Sequence, residues 1–196
     1  MSLRPMSLVL AAALAAVTLP GESAAQKRRP YTAPEAFTSS VQARTTGGAS
    51  ATSMRIHIDR YTAEDDRKTM TDALAHGGYG AFVQALRKAP AVGHLEVGDL
   101  KFTLRWSREQ PTDKGGRTIV LATDAPVYFL GGGRADAKPR DGFHLAIVQL
   151  TVDDFGIGTG TMAAAARVKP DGQGGVVVED YAEEPIKLTY VHRVVG

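Results

Sequence analysis

The chain has 196 residues, 23 Lys and Arg against 21 Asp and Glu, a formal net charge of +2 and 43% hydrophobic side chains. Its basic clusters, residues 26–29 and Arg134/Lys138/Arg140, are short, and the second is interleaved with Asp136 and Asp141, so no nucleic-acid-binding stripe is expected. The absence of Cys removes disulfides, thiolate nucleophiles and thiolate metal ligands together.

Residues 1–25 read as an export leader. Arg4 supplies a positive start, "LVLAAALAAVTL" an apolar run, and Ser23-Ala24-Ala25 the small side chains of a cleavage site. A membrane span needs about 20 apolar residues, which this run does not reach. The expectation is cleavage after Ala25, a periplasmic or secreted protein of 171 residues (196 − 25), and no transmembrane segment in the mature chain. Residues 26–35, "QKRRPYTAPE", carry two prolines and little to bury, and are expected to be a flexible segment ahead of one domain at 36–196.

From Phe37 the pattern becomes β-like. "FTSSVQART" alternates weakly, "GGAS" is a turn signal, and "MRIHIDRY" puts Met54, Ile56 and Ile58 on one face with Arg55, His57, Asp59 and Tyr61 on the other. Thr62 is placed to cap a helix through the N–H of Asp65, with Glu64, Asp65 and Asp66 at the favourable end of its dipole. Gly77-Gly78 reads as a stop, and Phe82, Ala85, Leu86 and Ala89 as the stripe of a second helix closed by Pro90, giving a helix pair over about 62–89.

Strands follow. "DLKFTLRW" alternates strictly, with Leu100, Phe102, Leu104 and Trp106 inward and Lys101, Thr103 and Arg105 outward. "PTDKGG" turns into the returning strand "RTIVLATD". "VYFL", the long surface loop "GGGRADAKPRDG", "FHLAIVQLTV", "GTMAAAARV", "KPDGQGG", "VVVEDY" and "IKLTYVHRVV" complete the series. Short strands with closely spaced turns and little helix between them indicate antiparallel pairing. The expected fold is α+β: a curved antiparallel sheet or partial barrel of about eight strands, with the helix pair packed on it.

The stretch "DDFGIGTGTMAAAARV" invites a phosphate-loop reading. Gly156, Gly158 and Gly160 are spaced two and two, however, rather than two and three, and no amphipathic helix follows before "KPDGQGG". A hairpin is expected, with Gly158, Gly160, Met162, Ala164, Ala166 and Val168 on one strand face. The combination "MRIHIDRYT", "LKFTLRW", "GGRTIVLATDAPVYF" and "EEPIKLTYV" resembles a group of uncharacterised secreted bacterial proteins. The resemblance implies export and a shared fold, and no functional residue.

Chemistry-bearing patterns are sparse. His57-x-Asp59 at period two could place two ligands toward one metal, or a base beside its orienting carboxylate, with Arg105 on a neighbouring outward face as a further ligand-binding residue. His76, His94, His144 and His192 fall in no metal-ligand spacing, so neither a metal nor a cofactor is expected. His144 alternates with Ala146 and Val148 and is expected at the margin of the core. The reading is an exported, non-catalytic binding or structural module whose partner is a small or amphipathic ligand in the hollow of the sheet, or an envelope protein. The alternative is a hydrolase or metal-assisted enzyme using His57 and Asp59.

Overall fold

The computed structural model describes residues 33–45, 48–113, 115–127, 141–182 and 184–194. The expected leader, most of the 26–35 segment and nearly all of the 131–142 loop lie outside the described residues. Strand β1 (Glu35–Thr45) pairs antiparallel with β2 (Gly48–Ile58), from Glu35 opposite Ile58 to Thr45 opposite Gly48. After helix α1 (Glu64–Lys88) come β3 (Gly93–Val97), β4 (Leu100–Pro111), β5 (Arg117–Thr123), β6 (Leu145–Val152), β7 (Ile157–Pro170), β8 (Val176–Tyr181) and β9 (Ile186–Val194).

The sheet closes on itself. β9 pairs with β7 on one side and β1 on the other, and β6 pairs with β7, so eight strands form a complete antiparallel barrel. β8 stands outside it, bonded to residues Ala166–Pro170 of β7, while residues Ile157–Met162 of β7 bond to β9. The expected curved sheet is therefore a closed barrel, in which each barrel strand has a neighbour on both sides.

Inward positions of all eight barrel strands fill the interior, among them Phe37, Met54, Ile56, Leu95, Leu104, Ile119, Val148, Met162 and Leu188. A second apolar layer lies outside, where Met70, Leu74, Phe82, Val83 and Leu86 of α1 pack on Trp106, Ala122, Leu145, Ile147, Ala163, Ala166 and Val168. Tyr79 stitches the two together: its hydroxyl donates to the Ala166 carbonyl at 2.8 Å and accepts the His144 N–H at 2.7 Å. His144 is half-buried, its ring stacked 6.1 Å from that of Tyr79.

Two bulges reverse the parity that strict alternation predicts. Leu104 faces Thr123 but Trp106 faces Ala122, so β4 carries one extra residue, Arg105. Trp106 consequently leaves the barrel interior and packs edge-on to Phe82 of the helix, with ring centroids 6.3 Å apart. Likewise Leu145 faces Ala166 while Ile147 faces Ala163, so the alanine run absorbs an extra residue. Met162 and Ala164 remain inside, but Ala166 and Val168 turn toward the helix. A bulge adds a residue without breaking the strand, and alternation read from sequence cannot register it.

The expected helix pair is instead a single 25-residue helix, kinked where Gly78 alone leaves helical geometry at φ 71°. Glycine takes that angle without steric cost. The segment then resumes because Phe82, Val83 and Leu86 continue the apolar layer begun by Met70 and Leu74. Thr62 does not cap this helix. Ala63 occupies the cap position, and the Thr62 hydroxyl accepts the Ser107 N–H at 2.8 Å, tying the crossing segment to β4.

Gly158 lies where a Cβ would stand 1.9 Å from the Thr151 carbonyl oxygen, whereas a Cβ at the exposed, helical Gly80 meets nothing within 4 Å. Gly158→Ala should therefore destabilise the fold by roughly 1–3 kcal/mol through forced separation of β6 and β7. Gly80→Ala should stabilise it by about 0.5–1 kcal/mol. Urea unfolding of the two variants checks both signs; a neutral Gly158→Ala would contradict the close approach.

Candidate functional site

Charges at inward positions collect near the start of β1 and of β5. Arg117 shares inward parity with Ile119 and Leu121, and Glu35 with Phe37; their side chains are 2% and 0% exposed. The guanidinium grips the carboxylate with both arms, Nη1 to Oε1 at 2.8 Å and Nη2 to Oε2 at 2.6 Å. Nη1 also donates to Glu109 at 2.7 Å and to the Tyr61 hydroxyl at 2.9 Å, and Arg193 Nε lies 3.1 Å from Glu35. Tyr61 in turn donates to Glu35. Two cations thus meet two anions with a hydroxyl between them, the condition under which buried charge is tolerated.

Burial, the Glu35 hydrogen bond and the Glu35 charge hold the Tyr61 hydroxyl far above the usual tyrosine range. Burial alone would lower the Arg117 pKa, but its bonds to Glu35 and Glu109 outweigh that and raise it. The cluster acts as a lock: the Tyr61 hydroxyl and the Arg117 guanidinium both hold their protons more tightly than in water. Sequence reading placed Glu35 in the flexible segment and Tyr61 on the outward face. The available signal was a charge at the inward parity of two strand starts.

On the outer wall, β2 and β3 place His57 directly opposite His94, with Thr103 of β4 next in the row. The imidazoles stack at 4.5 Å, 18° from parallel. Glu96 follows two residues along β3, its Oε1 3.3 Å from His94 Nε2 and 3.6 Å from Lys101 Nζ. His57, His94 and Glu96 are all half-buried, and each offers one donor atom within 4.8 Å of the other two. His94 is pushed below the ordinary histidine pKa by burial first, then by Lys101 and His57, partly offset by Glu96 and Asp59. It is neutral at neutral pH and so keeps a lone pair available.

The other expected site residues are distributed differently. β2 ends at Ile58, and Asp59 is exposed just beyond it, with its N–H donated to the Val92 carbonyl at 2.9 Å. Arg105, as the bulged residue, donates to Asp124 at 2.9 Å and to the Ala89 carbonyl at 2.9 Å, fastening the end of α1 to the barrel. The structure thus gathers His94 and Glu96 around His57 and holds Arg105 in a separate structural contact. His94 and Glu96 were legible only through register, because "GHLEV" is an unremarkable alternating strand until its partner is known.

The glycine stretch carries its own anion. Asp153 Oδ1 accepts from the N–H groups of Phe155 and Ile157, both at 2.9 Å, and Gly156 closes the turn onto the Asp153 carbonyl at 3.0 Å. Two amides that a phosphate would use are taken, and the neighbours of β7 are antiparallel. Elsewhere on the outer wall, an open groove of about 310 Å³ runs between β4–β6 and the β8 ribbon, lined among others by Trp106, Arg108, Thr118, Gln149 and Val177. Arg108 spans it to Asp171 at 3.1 Å.

No protein-family model, curated protein or solved structure matches the chain. Among the described residues no helix is long and apolar enough to cross a membrane.

The Tyr61 shift fixes the sign of an alkaline response. Its folded-state pKa is raised, so its contribution is intact below the unfolded value near 10 and is lost as pH climbs toward the folded value. Above pH ~10 unfolding should gain up to about 1.4 kcal/mol per pH unit from this group. Tyr61→Phe should remove that part of the slope in urea titrations between pH 9 and 11, ~1 unit either side of the unfolded value. Glu35→Ala, which removes the bidentate partner of Arg117 and leaves it Glu109 and Tyr61, should cost up to about 3–5 kcal/mol at neutral pH; a loss below ~1 kcal/mol would contradict the lock.

Proposed function

We propose that this protein is an exported, non-catalytic module that works through the outer wall of a solid barrel, meeting a partner in the bacterial envelope or the extracellular space. The observation that carries the reading is the packed interior. All eight barrel strands contribute buried apolar side chains to it, and Glu35, Tyr61 and Arg117 lock charges into inward positions. A small or amphipathic ligand in the hollow would have to displace these side chains, at about 1.5–3 kcal/mol for each large one re-exposed. The outer wall offers the His57/His94/Glu96 cluster and the groove beside Trp106. Export is supported by the n-region, apolar run and small-residue site of residues 1–25.

A metal-assisted hydrolase is the second reading, favoured by the neighbours His57 acquires. It lacks the guanidinium first assigned to it, since Arg105 is engaged by Asp124 and the Ala89 carbonyl.

Native mass spectrometry on tag-free protein recovered from the exported fraction tests the proposal. The expected mass is that of a chain beginning at Gln26 with no small organic molecule attached, and in-place crosslinking is expected to give a discrete partner. An unprocessed chain confined to the cytoplasm would overturn the export reading. A stoichiometric bound small molecule would overturn the solid barrel.

A further inference from the structure

We infer that the outer wall of the barrel carries a divalent transition-metal site of the zinc class, formed by His57, His94 and Glu96. The inference is independent of export and of the partner, and rests on how two strands hold three donors.

His57 and His94 are direct cross-strand partners, and Glu96 shares the β3 face with His94 at the next outward position. The donor atoms lie within 4.8 Å of one another. Ligands about 2.0–2.2 Å from one tetrahedral ion sit roughly 3.4 Å apart, so the two imidazoles must turn out of their stacked arrangement to aim both in-plane lone pairs at the ion. The ladder between β2 and β3 holds the three side chains on one face while they turn. Two imidazoles and one carboxylate suit Zn²⁺ and the ions beside it rather than Ca²⁺ or Mg²⁺, which take all-oxygen shells. Three protein ligands leave further coordination positions for water or for a side chain of another molecule.

The surrounding charges make a specific prediction. Lys101 Nζ lies 3.6 Å from the Glu96 carboxylate, and its side chain is 61% exposed, so it competes with the cation for Glu96 and can swing away when the ion arrives. Removing Lys101 should therefore tighten binding, an effect that general destabilisation cannot imitate.

Isothermal titration of the tag-free protein with Zn²⁺, in about a hundredfold excess of Mg²⁺, tests the site. One equivalent is expected to bind, with imidazole nitrogen signals shifting for His57 and His94 but not for His76, His144 or His192. His94→Ala and His57→Ala should each weaken binding at least about a hundredfold, and Glu96→Gln at least about tenfold. Lys101→Ala should strengthen it several-fold, and His76→Ala should leave it unchanged. No binding to the parent protein, undiminished affinity in either His variant or in Glu96→Gln, or equal affinity for Mg²⁺ would each overturn the inference.

Discussion

The pairing of β9 with β1 is the constraint on which the rest of this structure depends. Once the last strand bonds to the first, the sheet has an inside and an outside, and each inward position must be filled or partnered. Apolar residues meet that demand along most of the interior, where Phe37, Leu95, Ile119 and Leu188 are 0–1% exposed. Glu35 and Arg117 are charged exceptions, and they neutralise one another with two hydrogen bonds. The same pair joins β1 to β5, strands that share no backbone ladder, and adds Tyr61, Glu109 and Arg193 from three further segments. It is a cross-brace through the barrel.

The outside is divided in two by the helix. α1 packs an apolar layer on part of the wall between β4 and β7, beside the groove at Trp106, and the two bulges serve that layer by turning Trp106, Ala166 and Val168 outward. The alanines at 163 and 166 keep the wall low beneath the helix, and Tyr79 pins the contact by hydrogen bonds to both β6 and β7 sides. Among the described residues, the wall of β2 and β3 presents half-buried polar side chains instead. Function is argued from that contrast: a covered apolar face that is structural, and an open face bearing His57, His94 and Glu96.

Much of the strand pattern was legible in the sequence. Period-two alternation marks β2, a turn signal falls between β4 and β5, and the spacing of the glycines excludes a dinucleotide loop, whereas Leu100, expected inward, is exposed at the start of β4. What alternation cannot encode is register. Closure through β9, the partners of His57, and the two parity reversals all follow from which residues face one another, and a one-residue bulge is invisible when the strand continues on both sides. The helix was legible as apolar stripes, and Gly77-Gly78 marks the interruption at Gly78, across which the segment continues as one kinked helix. Thr62 has capping chemistry and is diverted to Ser107, a partner 45 residues away.

Native-state hydrogen exchange tests the closed, filled barrel most directly. If β1 and β9 seal the sheet, their mutually bonded amides exchange only with global unfolding, at the same free energy as those of β4 and β5. Exchange of the β1 and β9 amides by an opening distinctly easier than global unfolding would show an open sheet with a separable edge, and would contradict the account.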